Sequence, residues 1–121
     1  MKDSLLANKT VDFAIRIVKF YKYLCSERKE YVLSKQILKS GTSIGANVRE
    51  SRNAQSLADF INKLNIALKE ADETQYWLEI IEKSEIITSE QIEGLNNDLK
   101  EIIAILISSI KTLKKKLNDE S

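Results

Sequence analysis

The chain has 121 residues, 43% hydrophobic and 31% charged, with a net charge of +1. That is the length of one domain with enough apolar material for a core. It has no histidine, one cysteine, no proline and three glycines, which excludes a Ser-His-Asp arrangement, an internal disulfide and a cysteine-based zinc site and points to an all-helical chain.

The opening "MKDSLLANKT" carries no apolar stretch of the signal-peptide kind. A first helix is expected over 4–27, where Leu6, Thr10, Phe13, Ile17, Tyr21 and Leu24 recur at three- and four-residue spacing. Cys25, at helical spacing from Tyr21 and Val18, reads as a buried thiol. The charged run "SERKEY" (26–31) interrupts the pattern. A second helix over 34–53 would take Ser34 as its N-cap and Ile37, Gly41, Ile44 and Val48 as its stripe. After the polar break "RNAQS" (52–56), Ser56 and Asp59 resemble a capping box with Asp in the acidic place. A third helix over 56–84 then carries Leu57, Phe60, Ile61, Leu64, Leu68, Ala71, Gln75 and Leu78. Thr88 with Gln91 forms another capping box and opens a fourth helix over 88–118. Its stripe is Ile92, Leu95, Leu99, Ile102, Leu106, Ile110, Leu113 and Leu117, with lysines in the final turns, where the helix dipole favours cations. Its most apolar run, "IIAILISSI" (102–110), falls well short of the roughly 20 residues of a membrane span. The expected architecture is an all-α, up-down-up-down antiparallel four-helix bundle, a single domain over 1–121, soluble and cytoplasmic, with no metal or cofactor.

Residues 41–45, "GTSIG", match the G-x-S-x-G pattern of a hydrolase nucleophile elbow. Ser43 lies inside a helical stripe rather than after a strand, and no histidine exists to take its proton, so a Ser-His-Asp arrangement is impossible; a lysine base is conceivable, but nothing in the spacing singles one out. A phosphate loop fails as well, because Lys-Ser/Thr is missing after Gly45. Each glycine inside a helix costs about 1 kcal/mol relative to alanine. Gly41 and Gly45, with Thr42 and Ala46, are therefore read as a small-residue surface for close approach of a neighbouring helix; tolerated surface glycines are the plainer alternative. Ser43, Asn47 and Glu50 line up roughly 120° from the Ile37–Val48 line. That stripe is read as a hydrogen-bonded network fixing helix register, with a binding site or a solvated face as the alternatives.

The third and fourth helices hold more apolar surface than one stripe. Ile66, Trp77 and Ile80 lie away from the Leu64–Leu78 line, with Glu70 and Glu73 among them, and Ile105 and Ile107 flank the fourth stripe. Such surface marks an interface, and Trp is among the commonest interface hot spots. A homo-oligomer is expected, with these five residues at its boundary.

Charge is divided along the chain. Residues 1–55 hold eleven Lys/Arg against five Asp/Glu, a net of +6, and residues 56–121 hold eight against thirteen, a net of −5. The basic side includes Lys9, Arg16, Lys19, Lys22, Arg28, Lys29, Lys35, Lys39, Arg49 and Arg52. Of these, Arg16, Lys19, Lys22, Lys35, Lys39, Arg49 and Arg52 are the candidate phosphate contacts of a nucleic-acid surface. An ordinary solvated face is one alternative. Self-complementarity, the basic half of one subunit against the acidic half of the next, is another.

The segments "TSIGANVRES" (42–51), "FINKLNIALKEADET" (60–74) and "YWLEII" (76–81) together resemble the central signature of the 23S rRNA intervening-sequence family of bacterial four-helix bundles. The resemblance extends over nearly the whole chain. It implies a homo-oligomer, most plausibly a pentamer, without enzymatic activity. Through the family's accessory variability determinant of diversity-generating retroelements, it also implies binding of RNA or DNA and a protein partner such as a reverse transcriptase. The resulting expectation is a non-enzymatic, homo-oligomeric, nucleic-acid-associated accessory protein. The alternative is an oligomeric protein–protein scaffold without nucleic-acid contact.

Overall fold

A computed structural model describes residues 2–120, with side chains from Leu5 onward. The described residues form α1 (Lys2–Glu27), α2 (Leu33–Ser51), α3 (Leu57–Lys83) and α4 (Ser89–Glu120), with no strand among them. Each connection is too short to carry the chain back along the helix it leaves, so successive helices run antiparallel. Cross-helix pairs show the register. Thr10 and Ile17 of α1 face Gly45 and Gly41 of α2, Ser40 and Glu50 of α2 reach Thr74 and Lys63 of α3, and Lys9 and Tyr23 of α1 reach Glu101 and Gln91 of α4. Helices pack as α1–α2, α2–α3, α3–α4 and α4–α1, with no diagonal backbone approach among the described residues. The result is an all-α, up-down-up-down four-helix bundle.

The helix starts have local causes. Thr88 and Gln91 form a reciprocal box: the Thr88 N–H donates to Gln91 Oε1 at 2.9 Å, and the Gln91 N–H to Thr88 Oγ1 at 3.3 Å. Ser56 accepts from the Asp59 N–H at 3.0 Å, while Asp59 accepts from the Gln55 N–H, one residue short of a strict box. Ser34 is not the cap of α2. Val32 holds that position without a side-chain cap bond. The Glu30 carboxylate serves instead, accepting from the N–H groups of Ser34 at 2.8 Å and Val32 at 3.4 Å. Ser34 is drawn inside, its hydroxyl donating to the Glu30 carbonyl at 2.9 Å. At the end of α3, Glu85 adopts a left-handed φ of 62°, and the Ile86 N–H returns to the Ile81 carbonyl. This is a Schellman ending built without glycine.

The core is one continuous cluster of the four stripes, with differences from the sequence reading at its edges. Phe20 rather than Tyr21 turns inward on α1, because a straight helix drifts away from a strict four-residue step. On α3 the buried line runs through Ala67, Ala71, Thr74 and Leu78, leaving Gln75 exposed and Leu68 half-buried. The rotation brings Thr74 against Ser40, where its hydroxyl donates at 2.9 Å. Cys25 is half-buried rather than buried, its sulfur 3.7 Å from the Ser34 hydroxyl. The lysines near the end of α4 precede the last turn, which holds no basic residue. Among the described residues no helix is long and apolar enough to cross a membrane, and no cluster of carboxylates and thiols is placed to hold a metal ion.

Candidate functional site

The "GTSIG" stretch lies wholly within α2. The Ser43 hydroxyl donates to its own helix, to the Lys39 carbonyl at 2.6 Å, with no base beside it. The two glycines face α1. A β-carbon on Gly41 would stand 2.9 Å from two side-chain carbons of Ile17, and one on Gly45 would stand 3.2 Å from the Thr10 β-carbon. Thr10 is locked there, its hydroxyl shared between the Leu6 and Ala7 carbonyls at 2.9 and 3.0 Å. The glycines thus let α2 lie against a fully buried isoleucine and a β-branched threonine.

The polar stripe does not form the expected network. Asn47 donates to the Ser43 carbonyl of its own helix at 2.9 Å, and Glu50 pairs with Lys63 at 3.5 Å. Besides that surface ion pair, α2 and α3 are joined by the buried Ser40–Thr74 hydrogen bond, found only once α3 is rotated into place.

The close approach of α1 and α2 leaves a groove of about 450 Å³ on their outer face. Its floor is small: Ala7, Ala14, Gly45 and Ala46. Its α1 wall is apolar, formed by Val11, Ile15 and Val18, with Val11 42% and Ile15 50% exposed. Arg49 and Arg52 stand on the α2 side, and no carboxylate lines the groove. Sequence reasoning missed this surface. Val11, Ile15 and Val18 have helical spacing of their own, a signal beside the Phe13–Ile17 line that could have marked it.

The basic residues divide by partner. Arg16 lies across Gly94 and pairs with Asp98 of α4, and Lys9 pairs with Glu101 at 2.6 Å. The Lys9 ammonium is held above its usual range first by that hydrogen bond. Arg16 is therefore engaged within the subunit. Lys19, Lys22, Lys35 and Lys39 on α1 and α2, and Arg49 and Arg52, are exposed and make no ion pair among the described residues. Arg28, after α1, stacks 5.7 Å above the Tyr23 ring.

The apolar residues singled out on α3 form a ridge on the α2–α3 side. Ile66, Trp77 and Ile80 are half-buried. Tyr76, 55% exposed, packs edge-on to Trp77 with ring centres 5.1 Å apart. The Trp77 indole N–H points to Glu73 at 3.5 Å. Glu70 is held above the ordinary carboxylate range, first by partial burial and then by the charge of Glu73. On α4, Ile105 packs half-buried against the core and Ile107 is 52% exposed.

Residues 2–108 match the family model described as 23S rRNA-intervening sequence protein. Among solved structures, the chain is similar to a protein of unknown function from the S23 ribosomal protein family of Bacteroides thetaiotaomicron. The two share 63% identity and a TM-score of 0.90, over 92% of this chain and 99% of that one. No curated protein matches.

Proposed function

The chain belongs to the 23S rRNA-intervening sequence protein family, and within it we propose a non-enzymatic accessory role for a homo-oligomer that holds nucleic acid by its phosphates. The observation that carries this reading is the set of exposed cations Lys19, Lys22, Lys35 and Lys39 on neighbouring helices, which form no ion pair among the described residues, beside Lys9 and Arg16, whose charges are answered by α4. Mobile ammonium groups without carboxylate partners suit phosphate oxygens, and they read charge rather than sequence. An oligomer repeats the cluster and multiplies a weak contact. The family's name refers to 23S rRNA, which makes RNA the first ligand to try.

The test is fluorescence anisotropy with several unrelated RNA and DNA oligonucleotides across a salt series. The expected result is binding that weakens steeply with salt. Lys22→Glu with Lys35→Glu and Lys39→Glu should lower affinity for all sequences and flatten the salt slope by about 0.7 per lost phosphate contact on a single strand. Arg16→Glu should matter less than Lys19→Glu. A parent protein that binds neither RNA nor DNA at low salt removes the nucleic-acid role. It leaves the second reading, a protein–protein scaffold, which the apolar α1–α2 groove favours.

A further inference from the structure

We infer that the α1–α2 connection is a single-strand element of the phosphate-holding surface, in which Tyr31 stacks on an unpaired base while the cations beside it hold the flanking phosphates. The inference rests on the nucleic-acid part of the function proposed above and adds a ligand class to it, single-stranded RNA or DNA.

The connection is built to hold an aromatic ring outward. Lys29 takes a left-handed φ of 53° after α1, and the Glu30 N–H returns to the Leu24 carbonyl at 3.0 Å. Leu24 is fully buried and Leu33 packs half-buried against the core, so the turn is anchored on both sides. The Glu30 carboxylate folds back onto the Ser34 and Val32 N–H groups. Tyr31 and Val32 are left at the crest, 53% and 71% exposed. The Tyr31 ring and hydroxyl find no partner among the described residues. A tyrosine on such a turn loses little freedom on contact, because it has only two side-chain torsions to fix.

The surroundings carry the charge that phosphates need. Residues 22–35 hold four Lys/Arg, namely Lys22, Arg28, Lys29 and Lys35, against two Glu. All four cations are exposed and make no ion pair among the described residues. One of the two carboxylates, Glu30, is occupied by the start of α2. Arg28 is placed over the Tyr23 ring at 5.7 Å, and the Tyr23 hydroxyl accepts from the Gln91 side chain at 2.8 Å. The α3–α4 connection, at the same end of the bundle, is acidic instead, with Glu85 and Glu90 exposed. Phosphates are thus drawn to the α1–α2 side and kept off the other.

Among the aromatic residues, Tyr31 alone combines exposure with cations. Tyr76 is as exposed, at 55%, but its ring packs on Trp77, whose indole N–H points to Glu73. Tyr21 and Tyr23 are half-buried. An aromatic face beside cations suits a single strand, since every unpaired base offers a π-face, whereas the bases of a duplex are already stacked on one another. Tyr31 with Val32 presents far less apolar area than stable membrane anchoring takes.

The test is fluorescence anisotropy of the full chain at low salt with three labelled probes of equal length: a single-stranded oligonucleotide, its duplex, and the same strand with abasic sites. Circular dichroism controls for folding. The parent should bind the intact strand at least about fivefold tighter than the abasic one, the loss expected for one stacked base. Tyr31→Ala should abolish that difference, and Tyr31→Phe should keep it. Tyr31→Ala should also leave duplex affinity within about twofold and the salt slope unchanged, because no phosphate contact is lost. A parent that binds intact and abasic strands alike, or a Tyr31→Ala protein that still prefers the intact strand, overturns the stacking and leaves the phosphate reading standing. A parent that binds none of the probes overturns both. Tyr31-dependent binding to vesicles of anionic phospholipid, without preference for the intact strand, assigns the turn to a membrane surface and likewise overturns the proposal.

Discussion

Gly41 and Gly45 pose the sharpest question at the scale of single residues, because their two substitutions to alanine diverge. At Gly41 the new methyl meets Ile17, which is fully buried and has nowhere to move. Overpacking of about 1–3 kcal/mol then exceeds the gain of about 1 kcal/mol in helix propensity. Gly41→Ala should lower stability, read from the midpoint of urea unfolding. At Gly45 the clash with Thr10 is milder, 3.2 Å against 2.9 Å, and Gly45→Ala should fall within about 0.5 kcal/mol of the parent once strain offsets propensity. Gly45→Leu has no such room and should melt lower than either. A Gly45→Leu protein as stable as the parent would mean that the helices do not meet closely there. Glu70 gives a pH effect. Its folded carboxyl holds a proton at higher pH than the unfolded one. The folded state therefore loses stability as pH rises from the ordinary glutamate range near 4.3 through the raised value. Glu70→Gln should remove that fall while leaving low-pH stability nearly unchanged.

Helix ends decide the behaviour of whole elements. Glu85 holds a left-handed φ of 62° at the end of α3, a conformation that costs an L-residue roughly 1–2 kcal/mol and glycine almost nothing. Glu85→Gly should therefore stabilise the protein, by about 1 kcal/mol after allowing for the looser unfolded chain. Unchanged or lower stability would show that the Glu85 side chain contributes more than its backbone conformation costs. The start of α2 tests the reassigned cap. Glu30→Ala removes an acceptor for two backbone N–H groups and should cost on the order of 1 kcal/mol. Ser34→Ala, which leaves those N–H groups their partner, should perturb the helix start less. Amide hydrogen exchange at residues 32–35 would separate the two.

The whole molecule is governed by apolar surface that its own core does not use. Val11 and Ile15 on α1 stand exposed, whereas Trp77 on α3 is half-buried and packs in part against the core. A tryptophan covered by a partner buries on the order of 200 Å², worth several kcal/mol at about 25 cal/mol per Å². Ile15→Asp and Trp77→Glu should each shift the assembly to smaller species with most helix content intact. Ile107→Glu tests the fourth helix. Ile107 on α4 is 52% exposed and is expected at a subunit boundary, so a smaller mass for Ile107→Glu would place an interface on the α4 side and an unchanged mass would remove Ile107 from it.

Local patterns made the four helices and their order legible, because three- and four-residue spacing and short polar breaks are properties of neighbours in the chain. The Thr88–Gln91 and Ser56–Asp59 caps could be read for the same reason, and Ile37, Ile44 and Val48 could be assigned to the core. The sequence alone also excluded a Ser-His-Asp arrangement at Ser43, since the chain has no histidine. Tertiary structure decided what depends on helix rotation and on partners distant in sequence. Phe20 displaced Tyr21 and Thr74 displaced Gln75, because small rotations about a helix axis choose among flanking residues. Arg16 was removed from the free cations by Asp98, on a helix that only folding brings near. Val11, Ile15 and Val18 lie outside the core, because a helix face wider than one neighbour can cover shows its surplus only after that neighbour is in place. Spacing along the chain records which residues share a helix face, whereas the depth of that face depends on the helices packed against it.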